Sequence, residues 1–204
     1  MKLPEQCCGN CKWARNKQLT PTGRFVRGAA VSCAWPMPTA PPSARKFAIA
    51  AHGNQEYDGK PYRVHLDHVV EVLVRFGIRA TPVLEAAWLH DVLEDTSVTA
   101  DTLRERFGYG PARIVYAVTN EPGANRKERA IKTYPKIRWH GINAVVLKVA
   151  DRIANTEYSI EHGPAKKLKM YREEFPAFST ALFASGECDS MWDYLRSIST
   201  EQPE

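Results

Sequence analysis

Apolar residues recur at helical spacing along most of the chain after residue 42. The separations of three and four residues between Val69, Val72, Leu73 and Phe76 predict an amphipathic helix. Comparable patterns predict helices over 44–52, 64–76, 81–93, 111–119, 142–158 and 166–183, and one that starts at 99 or 101 and ends at 107. Sustained strand alternation and hairpin signals are absent from the sequence. The predicted fold class is therefore all-α.

The two ends of the chain differ in composition from this helical region. Residues 1–42 hold six of the 14 prolines and four of the five cysteines, so they are expected to form an irregular Cys/Pro-rich extension. Residues 43–183 would then form the folded domain, and residues 184–204 an acidic tail. A chain of 204 residues buries about 70% of its unfolded surface and needs no covalent staple.

The net charge of +5 is unevenly distributed. Basic residues concentrate in 1–45, 121–140 and 161–172, whereas acidic residues dominate 173–204. This interrupted pattern is not typical of a nucleic-acid-binding arm. The two inner basic stretches are either solvated helix faces or a rim that collects a polyanionic nucleotide. Because neither a membrane span nor a signal peptide is evident, a cytoplasmic location is expected.

A dense polar cluster closes the predicted helix of residues 81–93. His90, Asp91, Glu94 and Asp95 stand at offsets of three and four, which would turn all of them towards one side of a helix. Burying such a cluster is costly unless a cation balances its charge. The alternative interpretation is a solvated acidic helix end.

Two further residues favour a metal site. His65 stands at the start of an amphipathic helix, and Asp151 directly follows the apolar run of residues 144–150. Imidazole and carboxylate ligands from three helices suit Mn, Fe or Zn better than Ca. A divalent ion there would lower the pKa of a bound water and polarise a phosphoryl oxygen. His68 rivals His65 as a ligand by spacing alone.

The order of these residues resembles the HD-domain metal phosphohydrolases. Within that group the sequence is similar to the hydrolase half of RelA/SpoT proteins and to small alarmone hydrolases such as the metazoan SpoT homologue. The strings that carry this second resemblance are Ala51-His52 with Gln55 and Gly59-Lys60-Pro61-Tyr62, the pair Glu94-Asp95, and residues 147–155. The resemblance covers about residues 44–183.

The resemblance implies a compact multi-helix HD-domain bundle that removes the 3′-pyrophosphate from (p)ppGpp-type alarmones. It implies that one Mn²⁺ ion is held by His65, His90, Asp91 and Asp151. Glu94 and Asp95 would orient and deprotonate the attacking water. The candidate substrate contacts are Asn155, Lys148, Lys167 and Tyr171. The expected partner is a small phosphorylated purine nucleotide, and neither a membrane nor nucleic acid is expected.

One segment departs from the family pattern. Relatives often carry basic residues after Gln55, whereas this chain has Glu56-Tyr57-Asp58. Tyr57 could stack on a purine instead, which leaves guanine specificity open. An adenine alarmone, with the enzyme acting as an antitoxin, and NADPH or another nucleotide are alternative substrates. The alternative to an enzyme is a nucleotide-sensing module whose catalysis is vestigial. The intact Glu94-Asp95 pair argues against that alternative.

The N-terminal cysteines form a separate candidate site. Cys8 and Cys11 form a C-x2-C knuckle, Cys7 adjoins it, and Cys33 follows later. In a reducing cytoplasm this pattern favours structural Zn²⁺ over a disulfide. The fourth ligand would be either Cys7 or Cys188, if the latter folds back onto the extension. The remaining alternative is that these cysteines bind no metal. Such an extension could also contact a protein partner.

Overall fold

A computed structural model describes residues 42–163 and 165–200, which belong to one compact unit. The helices are α1 (Pro42–His52), α2 (Arg63–Arg75), α3 (Thr81–Leu89), α4 (Val92–Asp95), α5 (Ala100–Phe107), α6 (Tyr109–Val118), α7 (Arg126–His140), α8 (Ile142–Glu161), α9 (Ala165–Leu182) and α10 (Asp189–Thr200). Two-residue strands β1 (Glu56–Tyr57) and β2 (Lys60–Pro61) form an antiparallel hairpin between α1 and α2. The all-α prediction is confirmed. The cysteine-rich extension, with Cys7, Cys8, Cys11 and Cys33, lies outside the described residues.

Helix α8 is the centre of the core. It packs against α2, α3, α6, α7, α9 and α10, so it is enclosed on most of its circumference. Its apolar residues Val145, Leu147, Val149 and Ile153 are fully buried. A helix held on so many sides is a rigid platform for the polar side chains that it carries. Within the described ranges, no helix is both long and apolar enough to cross a bilayer.

Residues 81–93 were expected to form one helix, but the structure has two helices in this region. Helix α3 ends at Leu89 and α4 begins at Val92, with His90 and Asp91 in the turn between them. The four polar residues therefore lie on two consecutive elements and not on one helix.

Helix α7 begins with reciprocal capping. The side chain of Asn125 accepts a hydrogen bond from the backbone N–H of Glu128 at 2.9 Å, and Glu128 Oε2 accepts from the backbone N–H of Ala124 at 2.8 Å. This arrangement satisfies donors that the helix itself leaves free. Gly141, with φ of 95°, then joins α7 to α8 in a conformation that favours glycine. Both features fix the direction in which α7 crosses α8.

The C-terminal segment is part of the core and not an acidic tail. In α10, Met191, Trp192 and Leu195 are buried. The ring of Trp192 contacts Phe178 and Phe183, with centroid distances of 5.5 and 5.7 Å. The acidic residues Asp189 and Asp193 of this helix are exposed, as on the outer face of an amphipathic helix. The expected domain boundary at residue 183 therefore lies too early, and the folded unit continues to residue 200.

Truncation of Trp192 tests this boundary. The Trp192→Ala variant should lose about 3–5 kcal/mol of unfolding free energy, because a fully buried aromatic side chain is removed from the core. The Asp193→Asn variant, one residue along on the exposed face, should unfold like the wild type. Urea unfolding followed by circular dichroism measures both. Equal midpoints for Trp192→Ala and wild type would show that α10 is dispensable.

Candidate functional site

Two histidines and two aspartates from separate elements meet at the floor of a cleft. His65 projects from α2, His90 and Asp91 from the turn after α3, and Asp151 from α8. The Nε2 atoms of the two histidines lie 3.2 Å apart. His65 Nε2 lies 3.4 Å from Asp151 Oδ1, and His90 Nε2 lies 3.0 Å from Asp91 Oδ2. The four residues predicted from the sequence are thus brought together.

The buried charges of this cluster shift one another's pKa. Burial lowers the pKa of His65, but the carboxylates of Asp151 and Asp91 outweigh burial and raise that pKa to about 9. Burial favours the neutral form of Asp151, but Lys148 and the two histidines hold its pKa well below the usual range. The Nζ of Lys148 lies 3.1 Å from Asp151 Oδ2. The cluster therefore favours bound positive charge beside its carboxylates.

The donor set fits a divalent transition-metal ion. The ligand atoms of His65, His90 and Asp151 all lie within 4.8 Å of one another. Asp91 falls outside that mutual set, although its Oδ2 lies 3.5 Å from His65 Nε2. His90 Nδ1 lies 2.8 Å from the carbonyl oxygen of Ala87, which can only accept, so the proton sits on Nδ1. In the neutral ring the lone pair of Nε2 then faces the cluster, as metal ligation requires.

The two acids of α4 point to different partners. Glu94 accepts hydrogen bonds from the backbone N–H and the side-chain amide of Asn120, both at 2.7 Å. Asp95 accepts from the side-chain amide of Gln55 at 3.0 Å. Both carboxylates are exposed, so a water could reach either. Sequence reasoning missed Asn120, although it is a polar residue just after an apolar helix, the same signal that singled out Asp151.

Tyr62 is a second site residue that the sequence did not assign. Its hydroxyl donates to Asp91 Oδ2 at 2.6 Å. Burial, followed by the negative charge of Asp91, raises the pKa of Tyr62 far above its ordinary value. The phenol therefore stays protonated and acts as a permanent hydrogen-bond donor to that carboxylate.

Two of the predicted substrate contacts bind each other. The hydroxyl of Tyr57 donates to Asn155 Oδ1 at 2.7 Å, and its ring stacks on His65 with a centroid distance of 4.9 Å. The Nδ2 of Asn155 donates to Asp151 Oδ1 at 2.5 Å. A purine that stacks on Tyr57 would thus approach a ring already packed against the histidine cluster.

Lys167 lies at the rim with its charge paired. Its Nζ lies 2.6 and 2.7 Å from the two carboxylate oxygens of Asp58. The same Nζ lies 5.3 Å from the ring centroid of Tyr57. Asp58 stands in the hairpin where relatives often carry basic residues. In this chain it pairs with Lys167, the lysine that was predicted to bind substrate.

The other side of the cleft carries most of its positive charge. The cleft encloses about 820 Å³ including its open mouth, and its basic lining residues are Arg126, Arg129, Lys148 and Arg152. Buried Arg152 lies 2.8 Å from Glu174 Oε2, and Arg126 also contacts Glu174. The guanidinium groups of Arg126 and Arg152 lie 5.5 and 5.0 Å from the ring centroid of Tyr171. Tyr171 therefore supports the cations of the cleft as well as lining it.

Only part of the inner basic stretch faces the cleft. Lys136 donates to the backbone oxygen of Thr119 at 2.8 Å and pairs with Glu121, and Arg138 pairs with Glu187 at 2.6 Å. These cations fasten α7 to its neighbours. The rim interpretation applies to Arg126 and Arg129, which line the cleft.

His68 lies apart from the cluster. Its Nε2 lies 2.9 Å from Glu157 Oε2, and Glu157 also accepts hydrogen bonds from Arg75 and Tyr194. This network joins α2 and α8 to α10. The side chain of His68 is therefore engaged in holding helices together.

Residues 44–181 match the model of the HD domain family. The chain belongs to the HD domain family. HD domains are metal-dependent, and the set of His65, His90 and Asp151 gives this domain a place for a metal ion.

Several curated relatives of this HD domain carry hydrolase names, and others are named as GTP pyrophosphokinase or diphosphokinase. A guanosine-3′,5′-bis(diphosphate) 3′-pyrophosphohydrolase of Aquifex aeolicus is 33% identical over 135 residues, which cover 64% of this chain and 18% of the relative. The 3′-pyrophosphohydrolase MESH1 of Danio rerio is 35% identical over 116 residues, which cover 53% of this chain and 63% of the relative. The match thus spans less than two thirds of either relative.

Solved structures share the fold of this HD domain. One is a metazoan ortholog of SpoT described as hydrolysing ppGpp, with a TM-score of 0.60, 20% identity, and coverage of 76% of this chain and 92% of that one. Another is a Listeria monocytogenes protein with a TM-score of 0.51 and 25% identity, covering 70% of this chain and 98% of that one. At these identities the likeness describes the architecture.

Two histidine substitutions in α2 distinguish a metal ligand from a neighbouring structural residue. His65→Ala should lower the affinity for Mn²⁺ by more than about tenfold, because it removes one ligand of the buried set. His68→Ala, one turn along the same helix, should bind Mn²⁺ like the wild type. Isothermal titration with Mn²⁺ measures both. Equal affinities for the two variants would contradict the assignment of His65 as a ligand.

Proposed function

We propose that this HD domain hydrolyses a phosphorylated purine nucleotide and that its reaction is removal of the 3′-pyrophosphate from a (p)ppGpp-type alarmone. The observation that carries the proposal is the position of the histidine–aspartate cluster. It lies at the floor of a cleft whose other wall is lined by arginines, with two carboxylates within the next turns of the chain. The names of the curated relatives support the same reaction.

In this proposal His65, His90, Asp91 and Asp151 hold one Mn²⁺ ion. When bound, such an ion supplies an activated water and polarises a phosphoryl oxygen. Lys148 contacts Asp151 Oδ2, whereas Oδ1 of that carboxylate faces His65. Tyr62 donates to Asp91 Oδ2, the same oxygen that faces both histidines. These two contacts orient the carboxylates towards the ligand position.

Glu94 and Asp95 are the proposed acid–base residues. Their carboxylates are exposed to solvent, so each can accept a proton from a water or orient that water. The two hydrogen bonds from Asn120 fix the orientation of Glu94, and Gln55 fixes that of Asp95. A sensor that had lost catalysis would have no use for two acids held in this way.

The nucleotide phosphates would lie along the arginine-lined wall. Arg126 and Arg129 are exposed and Arg152 is buried, so basic side chains continue along this wall, although Glu174 pairs with Arg126 and Arg152. Asn155 would contact the ribose side of the substrate, next to Asp151. Lys167 would contact substrate only after it releases Asp58, and Tyr57 would contact the base by its ring.

The N-terminal cysteines and the location of the protein complete the proposal. Structural Zn²⁺ on Cys7, Cys8, Cys11 and Cys33 stays a prediction, as does contact of that extension with a protein partner. A cytoplasmic location is consistent with a nucleotide substrate and with reduced thiols.

A substrate screen tests the reaction. Purified protein with Mn²⁺ should release pyrophosphate from ppGpp, EDTA should abolish the release, and Mn²⁺ should restore it. Glu94→Gln should lower kcat by about 100-fold or more while Mn²⁺ still binds, because the proton acceptor is lost but the ligands remain. Glu105→Gln, an exposed acid on α5, is the matched control.

The screen includes ppApp and NADPH beside ppGpp, with products resolved by ion-exchange chromatography. Release of phosphate from NADPH alone would replace the alarmone with a nucleotide phosphatase reaction. Unchanged hydrolysis in EDTA, or full activity of Glu94→Gln, would contradict the proposed chemistry.

A further inference from the structure

A chain of hydrogen bonds leads from buried His52, the last residue of α1, to the exposed carboxylate of Asp95. His52 Nδ1 lies 2.8 Å from Gln55 Oε1, and Gln55 Nε2 lies 3.0 Å from Asp95 Oδ2. The ring of His52 stacks on Tyr62 with a centroid distance of 4.3 Å, and the Tyr62 hydroxyl donates to Asp91. The segment before α2 therefore contacts both a metal-site carboxylate and an acid–base candidate.

The direction of each hydrogen bond in this chain follows from its chemistry. A carboxylate only accepts, so Gln55 turns its NH₂ group towards Asp95 and its carbonyl oxygen towards His52. Because that carbonyl also only accepts, Nδ1 of His52 carries the ring proton. The Nε2 of His52 is buried and has no hydrogen-bond partner among the residues that the structure describes. No acceptor there competes for the proton.

The main chain of Gln55 is fixed by the same neighbours. Its backbone N–H donates to the His52 oxygen, and its backbone oxygen accepts from the Tyr62 N–H, both at 3.0 Å. His52 itself is buried and cannot turn without losing its contact with Tyr62. The amide of Gln55 is therefore pre-oriented before any substrate arrives.

We propose that Gln55, oriented by His52, is a positioning residue that holds Asp95 for the hydrolytic step. The inference rests on the proposed function, because the position of Asp95 matters only if Asp95 takes part in the reaction. The side-chain amide of Gln55 is engaged with His52 and with Asp95, so Gln55 acts through that carboxylate. It does for Asp95 what Asn120 does for Glu94.

Substitutions of Gln55 by residues of similar size distinguish the effect of its amide group from the effect of its side-chain volume. Gln55→Met keeps the length but removes the donor, and it should lower kcat about tenfold while KM and the affinity for Mn²⁺ stay unchanged. Gln55→Glu keeps the shape but turns the donor into a second anion, and it should lower kcat further. Asn54→Ala, an exposed neighbour in the same loop, should keep the wild-type kcat.

A double-mutant cycle with Asp95 decides whether the effect runs through that acid. In an Asp95→Ala background, Gln55→Met should lower kcat no further, because the group that it positions is gone. Losses that multiply in the double variant, or a Gln55→Met enzyme with wild-type kcat, would overturn the inference. Wild-type protein that releases no pyrophosphate would instead reject the proposed function, and that result is read before any variant is compared.

Discussion

The burial of two imidazoles against two carboxylates is the constraint on which the site depends. His65 and His90 are almost fully enclosed, and their Nε2 atoms lie 3.2 Å apart. Such a cluster is stable only if positive charge balances the carboxylates of Asp91 and Asp151. A divalent ion bound to the neutral imidazole rings would provide that positive charge. The hydrogen bond from His90 Nδ1 to the carbonyl oxygen of Ala87 orients the ring so that Nε2 can bind the ion.

The rest of the fold serves to hold these groups in place. Helix α8 is packed on most sides, so Lys148, Asp151 and Asn155 leave it at fixed positions one turn apart. The segment between α1 and α2 supplies Gln55, Tyr57 and Tyr62, and each of them donates to an acid or amide of the site. A rigid helix and one ordered segment thus fix the residues from opposite sides, which is what preorganisation for catalysis requires.

Sequence periodicity was sufficient for most of the helices and for the residues of the cluster, because both leave local signals, but it did not predict α7 or α10. It failed where tertiary contacts decide. The break between α3 and α4 lies inside a stretch where Leu89, Val92 and Leu93 keep a helical spacing. Helix α10 was hidden by its acidic outer face, although Met191, Trp192 and Leu195 also keep such a spacing. The pairing of Lys167 with Asp58 joins positions 109 residues apart. Contacts over that separation follow from the fold and leave no trace in local spacing.

The central claim is that the histidine–aspartate cluster is a divalent-cation site. The most direct measurement is the thermal unfolding midpoint with EDTA and with Mn²⁺, for wild type and for Asp151→Asn. At Mn²⁺ about 100 times its Kd, binding contributes about 2.7 kcal/mol, so the wild-type midpoint should rise by about 5–10 °C. The rise should fall to about half or less in Asp151→Asn, because a tenfold loss of affinity leaves about 1.4 kcal/mol at the same Mn²⁺ concentration. A wild-type midpoint that is the same with EDTA and with Mn²⁺ would contradict the claim.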